Sequence, residues 1–255
     1  NCYSLYHRDM TNLRVDSEPA FVLHTRPYRE TSQLVDLFSR HYGRLRVVAR
    51  GFRRPKNGSR ILAPFTPLLV GWSGKAELKT LVSAEHSGRS LMLSGERLYS
   101  GFYLNELLIR LLVEHDPHQH LFDHYLNIMT SLADGEPIEP ALRLFERNLL
   151  DEAGYGLMID TDIVSGHPVL PDQWYWLDPS TGFSHCQPSE QDKTSPYLFW
   201  GEALLAIGNG DYHDLDIAKA AKRLMRLAIQ EHLGNKPLRS RELFNLQKTS
   251  GAKTS

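Results

Sequence analysis

Between positions 19 and 85 the chain offers five short apolar segments and, except after Gly51, no stretch long enough for a helix. The segments span 19–25, 33–39, 44–51, 64–72 and 76–85. Each is rich in Val, Leu, Phe or Thr and bounded by Gly, Pro, Ser or Asn, the marks of strands. Tyr42-Gly43 provides a tight turn between the second and third, and Ser73-Gly74-Lys75 another between the fourth and fifth. In the third segment Leu45, Val47 and Ala49 alternate with Arg44, Arg46, Val48 and Arg50, so one face is apolar and the other mostly cationic. Five such strands in so little chain predict a closed OB-type barrel, an architecture that presents its second and third strands to oligonucleotides.

The net charge of −1 conceals a segregation along the chain. Residues 21–100 hold 14 basic against 5 acidic side chains, residues 101–218 hold 4 against 20, and residues 219–255 hold 9 against 2. The densest run is Arg40, Arg44, Arg46, Arg50, Arg53, Arg54, Lys56 and Arg60, with no acid between its ends. Like charges at that density need counter-charges, supplied either by a polyanionic partner or by the acidic middle of the chain itself. Tyr42, Phe52 and Phe65 lie near the run, and single-strand binders pair a cationic groove with flat side chains for base stacking. Phe65 is expected in the core, while Phe52, between Gly51 and Arg53-Arg54, has the better claim to exposure.

Beyond the barrel the pattern is mainly helical. Residues 90–114 are apolar nearly all round, with Leu98, Phe102, Leu107, Leu108, Leu111 and Leu112, as in a buried central helix. Asp116-Pro117, with Gln119 following, reads as a capped start for a helix carrying Leu121, Phe122, Tyr125, Met129 and Leu132. A third helix is expected over 140–153, turning Leu142, Phe145 and Leu149 inward and stopping at Gly154. Ser195-Pro196 is expected to start a shorter one, and Asp216 to cap a last one that runs to Leu233 and closes at Gly234. On that helix Lys219, Lys222, Arg223 and Arg226 share a face opposite Ala221, Leu224 and Ala228. Residues 234–244 extend the basic surface and are expected to pack back through Leu238, Leu243 and Phe244.

Candidate chemistry is sparse. Cys2 and Cys186 are the two cysteines, too few for a disulfide framework or an all-cysteine zinc site, and they fit a reducing cytosol. No apolar run reaches the ~18 residues of a membrane span. The opening residues lack the apolar core of a secretory signal, and Met10 offers a natural start, with 1–9 an upstream extension. His115, His118, His120 and His124 crowd together, and His120 and His124 have a metal-compatible spacing. No H-E-x-x-H arrangement accompanies them, and a solvated helix start explains them better. Cys186 with His185 and His167 is a weak case for a metal or a nucleophile. There is no P-loop, no G-x-G-x-x-G and no G-x-S-x-G. The chain has the parts of a binder and lacks those of an enzyme; neither cofactor nor metal is expected.

Five ordered segments carry a family resemblance. They are AFVLHTRPYRETSQLVDLFSRHYGRLRVVARGFRRP, LAPFTPLLVGWSGKAELKTL, LYSGFYLNELLIRLL, EPALRLFERNLLDEAGYG and AAKRLMRLAIQEHLGNKPLRSRELF, running from Ala20 to Phe244. In this order the chain resembles the RecO family of bacterial recombination mediators and DNA-repair proteins. The resemblance implies an α+β protein: an OB fold at 18–88 and a helical domain at 89–246 with a small insert at about 159–194. A flexible extension over 1–17 and a frayed tail over 247–255 complete the expected plan. Many members carry a four-cysteine zinc finger in the insert. Here Asp162-Ile-Val-Ser165-Gly166 stands at the C-x-x-C-G position and Gly-Phe-Ser-His-Cys186-Gln-Pro at the second pair. One cysteine does not make that site, so a metal-free insert of short strands around Trp174, Trp176 and Phe183 is expected.

By the same resemblance the protein would bind single- and double-stranded DNA and anneal complementary strands without hydrolysing nucleotides. It would contact the acidic C-terminal tail of single-strand binding protein, join RecR, and help RecA onto coated DNA, in the cytoplasm at the nucleoid. The run Arg40–Arg60, with Phe52, is the expected DNA surface. Lys219, Lys222, Arg223 and Arg226, with Arg143 and Arg147, are expected to take the partner tail. Two other classes compete: an OB-fold RNA-binding protein of translation, and a metal phosphohydrolase built on the histidines at 115–124.

Overall fold

The computed structural model describes residues 14–51, 61–234 and 236–240, which fall into two compact units. The first holds the chain up to Ala133 together with Arg239 and Ser240, and the second holds Asp134–Leu238. In the first, β1 (Arg14–Tyr28), β2 (Ser32–Ser39), β3 (Gly43–Arg50), β4 (Leu68–Ser73) and β5 (Lys79–His86) close into a barrel in the order β1-β2-β3-β5-β4. Neighbours are antiparallel except β3 and β5, which run parallel where Val47–Ala49 meet Lys79–Leu81. β1 begins earlier than expected and takes in residues 14–17. Arg14 and Val15 pair with Ser73 and Trp72, and Val15 joins the barrel core.

The two-residue period of the strands sets what lies inside. Val22, Val35, Leu37, Leu45, Val47, Ala49, Leu68, Val70 and Trp72 fill the interior, and Tyr42 caps it with its ring at right angles to Trp72, 5.2 Å away. Gly43 makes the β2–β3 turn at φ +66, and a Cβ there would meet the Asp116 carbonyl oxygen at 1.8 Å. No other residue type fits that position.

The outward residues Phe21 and Phe38 are buried too, because helix α2 (Gln119–Asp134) lies over them. The Phe122 and Tyr125 rings pack on both at centroid distances of 4.9–6.1 Å. Helix α1 (Gly95–Leu111) is central as expected: no residue from Arg97 to Leu112 is exposed. Its buried Asn105 donates to the Leu23 carbonyl at 2.9 Å and accepts from the Tyr125 hydroxyl, so one amide serves β1, α1 and α2. Burial pushes the Tyr125 pKa up and keeps its proton available to that bond. Phe65 is buried, but outside the barrel interior, edge-on to Phe102 of α1 at 5.1 Å. The start of α2 departs from the expected Asp116 cap. Asp116 lies against the β2–β3 turn, and the helix begins at Gln119, where the His118 carbonyl accepts from Phe122 N–H.

The second unit holds α3 (Ile138–Glu152), a sheet of β6 (Trp174–Asp178), β7 (Gly182–Cys186) and β8 (Leu198–Trp200) in the order β7-β6-β8, then α4 (Gly201–Gly208) and α5 (Leu215–Leu233). Three expectations need correction. Ser195-Pro196 starts no helix: residues 198–200 are drawn into the sheet by pairing with 174–176, and α4 begins at Gly201. Asp214, not Asp216, caps α5; its backbone is extended and its carboxylate accepts from Asp216 N–H and Ile217 N–H, while Asp216 sits in the first turn. The insert packs on Tyr175, Leu177, Phe183 and Phe199 rather than on its tryptophans. Trp174 and Trp176 are one step out of phase and face the other side.

The Asn105 bridge makes a direct forecast. Asn105→Ala strands the Leu23 carbonyl and the Tyr125 hydroxyl, each costing ~1–3 kcal/mol when buried without a partner. Urea unfolding should show a loss of about 2–5 kcal/mol for Asn105→Ala and a smaller one for Tyr125→Phe.

Candidate nucleic-acid interface

The outer face of β1, β2 and β3 is a set of cross-strand rows. From one end they read Tyr28–Ser32–Arg50, then Arg26–Leu34–Val48, then His24–Asp36–Arg46, and finally Phe38–Arg44 beneath α2. The expected Arg run meets this face in two different ways. At the covered end its charges are already answered. Arg44 is buried, donates to the Leu112 carbonyl at 3.2 Å and pairs with Glu114 at 2.9 Å. Arg46 pairs with Asp36 at 2.9 Å and approaches Glu114 at 3.5 Å. Burial works against the Arg46 charge, but the Asp36 bond overrides it and holds the pKa above its ordinary value. Arg40 forms a forked pair with Asp123, at 3.0 and 2.8 Å. That bond raises the arginine pKa and lowers the carboxyl pKa.

At the other end Ser32, Leu34 and Val48 are buried, but Arg26, Arg29 and Arg50 are exposed and their charges are unanswered among the described residues. Arg50 is exposed, and neither it nor Arg26 forms an ion pair among the described residues. Arg29, at φ +53 in the β1–β2 turn, lies over the Tyr28 ring at 5.2 Å. Three arginines and a tyrosine thus share one end of the barrel with one acid, Glu30, and the chain leaves β3 from there through Gly51. Phe52, Arg53, Arg54, Lys56 and Arg60 lie outside the described residues. Sequence reasoning missed Arg26, Tyr28 and Arg29. The outward period of the first strand held the signal, but placing it beside Arg50 needs the register of two hairpins. Tyr42 is no stacking platform, since it caps the barrel interior.

The second basic group also divides. Arg143 is buried and pairs with Glu146 at 3.0 Å, itself 1% exposed. Arg147 donates to the Ile207 and Gly208 carbonyls at the end of α4, at 3.1 and 2.6 Å. Arg223 turns to the sheet, donating to the Leu198 carbonyl at 2.8 Å and lying 4.2 Å from the Phe199 ring centre; burial pushes its pKa down. Lys219, Lys222 and Arg226 remain at the surface. Lys219 is paired with Asp216 at 2.8 Å and Lys222 with Glu139 at 2.7 Å. The six residues therefore form no continuous exposed stripe.

The histidines at 115–124 are not gathered. Among the described residues no group of three or more His, Cys, Asp or Glu side chains is arranged to hold a metal ion. Where a first cysteine knuckle would stand, Asp162 accepts from Val164 N–H at 3.0 Å and Ser165 Oγ at 2.7 Å, and its carbonyl accepts from Gly166 N–H. The same carboxylate accepts from the His185 backbone on β7, so a hydrogen-bonded carboxylate joins the two knuckles. No described helix is long and apolar enough to cross a membrane.

The closed five-stranded barrel followed by helices is an architecture of the OB class, and its far end carries Arg26, Arg29, Arg50 and Tyr28. Two family models match the chain: Recombination protein O N terminal over residues 13–88, and Recombination protein O C terminal over residues 92–242. The DNA repair protein RecO of Cellvibrio japonicus (strain Ueda107) is 47% identical over 235 residues, covering 91% of this chain and 98% of that protein. That of Pseudomonas aeruginosa (strain LESB58) is 47% identical over 234 residues, covering 92% and 97%. That of Coxiella burnetii (strain RSA 331 / Henzerling II) is 45% identical over 232 residues, covering 91% and 98%. The chain belongs to the Recombination protein O family, whose members are non-catalytic mediators of recombination and DNA repair.

The Asp162 joint carries a pH signature. Burial opposes its charge, yet the bonds from Ser165, Val164 and His185 win and lower its pKa below the ordinary carboxyl value. A depressed folded pKa contributes stability that is present above the unfolded value of ~3.9 and is lost as pH falls through the folded one. Tryptophan fluorescence of the insert should therefore report acid opening below about pH 4. Asp162→Asn should weaken the insert at neutral pH and flatten that dependence.

Proposed function

We propose that this protein binds single- and double-stranded DNA through the Arg50 end of its barrel, anneals complementary strands, and helps load RecA recombinase onto DNA coated by single-strand binding protein. The observation that carries the reading is the division of the Arg run. Arg40, Arg44 and Arg46 are neutralised by acids of the same unit, whereas Arg26, Arg29 and Arg50 are not. Phosphates are drawn to uncompensated cations. The DNA contact therefore centres on Arg50, with Arg26 and Arg29 beside it and Arg53, Arg54, Lys56 and Arg60 following along the chain. Tyr28 and Phe52 offer faces for bases. Arg40, Arg44 and Arg46 position the strand that carries Arg50.

The acidic tail of single-strand binding protein is assigned to the surface of α5, where Arg226 is unpaired among the described residues and the exposed Lys219–Asp216 and Lys222–Glu139 pairs can exchange their acids for those of the tail. Arg143, Arg147 and Arg223 shape the ground beneath them. RecR is a further partner, and the working place is the cytoplasm, at the nucleoid. Salt dependence tests the DNA surface. Arg50, Arg53 and Arg54 changed together to Ala should weaken binding to all sequences alike and flatten the log–log salt slope by about 2–3 units. An unchanged slope would put the DNA elsewhere, and a preference for structured RNA would favour a role in translation.

Charge reversal at Lys222 and Arg226 separates the second surface from the first. It should abolish binding of the isolated tail peptide and stop annealing of coated strands, while annealing of naked strands stays near wild type. An equal loss with naked strands, with the peptide still bound, would assign this surface to DNA.

A further inference from the structure

On the face of the β7-β6-β8 sheet that carries Trp174 and Trp176, Leu198 is covered, but the aromatic rings beside it stay partly exposed. β6 alternates Tyr175 and Leu177, which are buried, with Trp174, Trp176 and Asp178, which are not. Two aromatic pairs stand on this outer face. Trp174 meets Trp200 edge-on at 4.7 Å, and Trp176 stacks with Tyr197 at 6.3 Å and 23°. Trp176 is 38% and Tyr197 36% exposed. Trp174 and Trp176 are two residues apart on one strand, so the pairs repeat at ~6.6 Å, the spacing of alternate side chains in an extended chain.

The segment that carries these rings is acidic, and Arg223, brought to the sheet by α5, is engaged with the Leu198 carbonyl and the Phe199 ring. Residues 171–200 hold four acids, Asp172, Asp178, Glu190 and Asp192, against one lysine. That lysine, Lys193, is spent on Glu190 at 2.6 Å. Asp178 bonds to Ser180 and Asp192 to Ser189, hydroxyl and N–H donors that bring no positive charge. These bonds lower both carboxyl pKa values and keep the groups ionised. Burial and the Asp192 charge push the Cys186 thiol pKa up, which puts that carboxylate near the residue paired with Trp174. Asp178 follows Trp176 on the same face and serves the second.

We propose that this aromatic, acidic face docks an extended, arginine-bearing segment of a partner protein. Alternate guanidinium groups lie over the Trp174–Trp200 and Trp176–Tyr197 pairs, and Asp178 and Asp192 take their hydrogen bonds. Guanidinium stacks on indole and phenol rings and pairs bidentately with carboxylates, so one side chain satisfies both features. A nucleic acid would find rings to stack on, but its phosphates would meet the carboxylates of Asp178 and Asp192, which no cation answers among the described residues. This surface belongs to the second unit, whereas the barrel end assigned to DNA belongs to the first.

A short fluorescein-labelled peptide alternating arginine with serine is the probe, titrated into the full chain and followed by anisotropy and tryptophan quenching. Binding is expected to fall with salt. Trp176→Ala and Tyr197→Ala should each weaken it about fivefold. Asp178→Asn, which keeps the shape of the side chain, should weaken it comparably and reduce its salt dependence. The alternating lysine–serine peptide, equal in charge, should bind more weakly. Affinity unchanged in both Trp176→Ala and Asp178→Asn would overturn the proposal. So would quenching by a thymidine oligonucleotide that competes with the peptide and is lost in Trp176→Ala, an outcome that assigns the face to nucleic acid.

Discussion

A buried arginine ties the barrel of this protein to the helices that follow it. Arg44 leaves β3 on its outer side, where a cation would ordinarily reach water, and is instead closed in by the chain descending from α1. Such a charge is tolerated only when paired and hydrogen-bonded. Glu114 supplies the charge, the Leu112 carbonyl a further acceptor, and the Arg44 carbonyl receives His115 N–H at 2.8 Å in return. This lashing holds residues 112–116 across the β2–β3 hairpin. It fixes Asp116 against Gly43 and delivers α2 onto Phe21 and Phe38. One half of the β1–β2–β3 face is thereby closed. The row of Tyr28, Ser32 and Arg50 lies beyond the reach of α2.

The second unit solves a related problem without a barrel. Arg143 and Glu146 are both buried and one turn apart on α3, so the helix brings the pair together at the cost of removing two charges from water. Among the described residues Arg143 Nε has no hydrogen-bond partner, nor has the buried Tyr212 hydroxyl. Such a pair contributes less to stability than its distance of 3.0 Å implies, and removing one member is worse than removing both. The Asp162 joint is more economical, because a single carboxylate collects donors from its own loop and from β7.

The barrel was legible because strand patterning is local. Alternation in 44–51 put Leu45, Val47 and Ala49 inside, where they are, and the Tyr42-Gly43 turn joined the correct strands. The helices were legible in number but not at their ends. Asp214 and Asp216 are equally good caps by residue type, and backbone geometry alone distinguishes them. Residues 195–200 were misread because Leu198, Phe199 and Trp200 suit a helix or a strand, and partners at 174–176 decide. The candidate site was legible as a charge run but not as a surface. Arg44 and Arg50 belong to the same outward series on one strand, yet one is buried against Glu114 and the other faces water. No local pattern separates them, since the counter-charge is 70 residues away in sequence.

That separation bears on how charge segregation in a chain should be read. The acidic middle and the basic N-terminal third invite a picture of two opposed surfaces. The fold spends part of each on the other: Asp123 on Arg40, and Glu114 on Arg44 and Arg46. Internal neutralisation removes cations from the face near α2 and leaves those at the far end, so a uniform run becomes a directional one. The potential along β3 then rises from Arg44 toward Arg50 rather than being even along the strand. The acids of the helical segment thus select which arginines of that strand remain uncompensated.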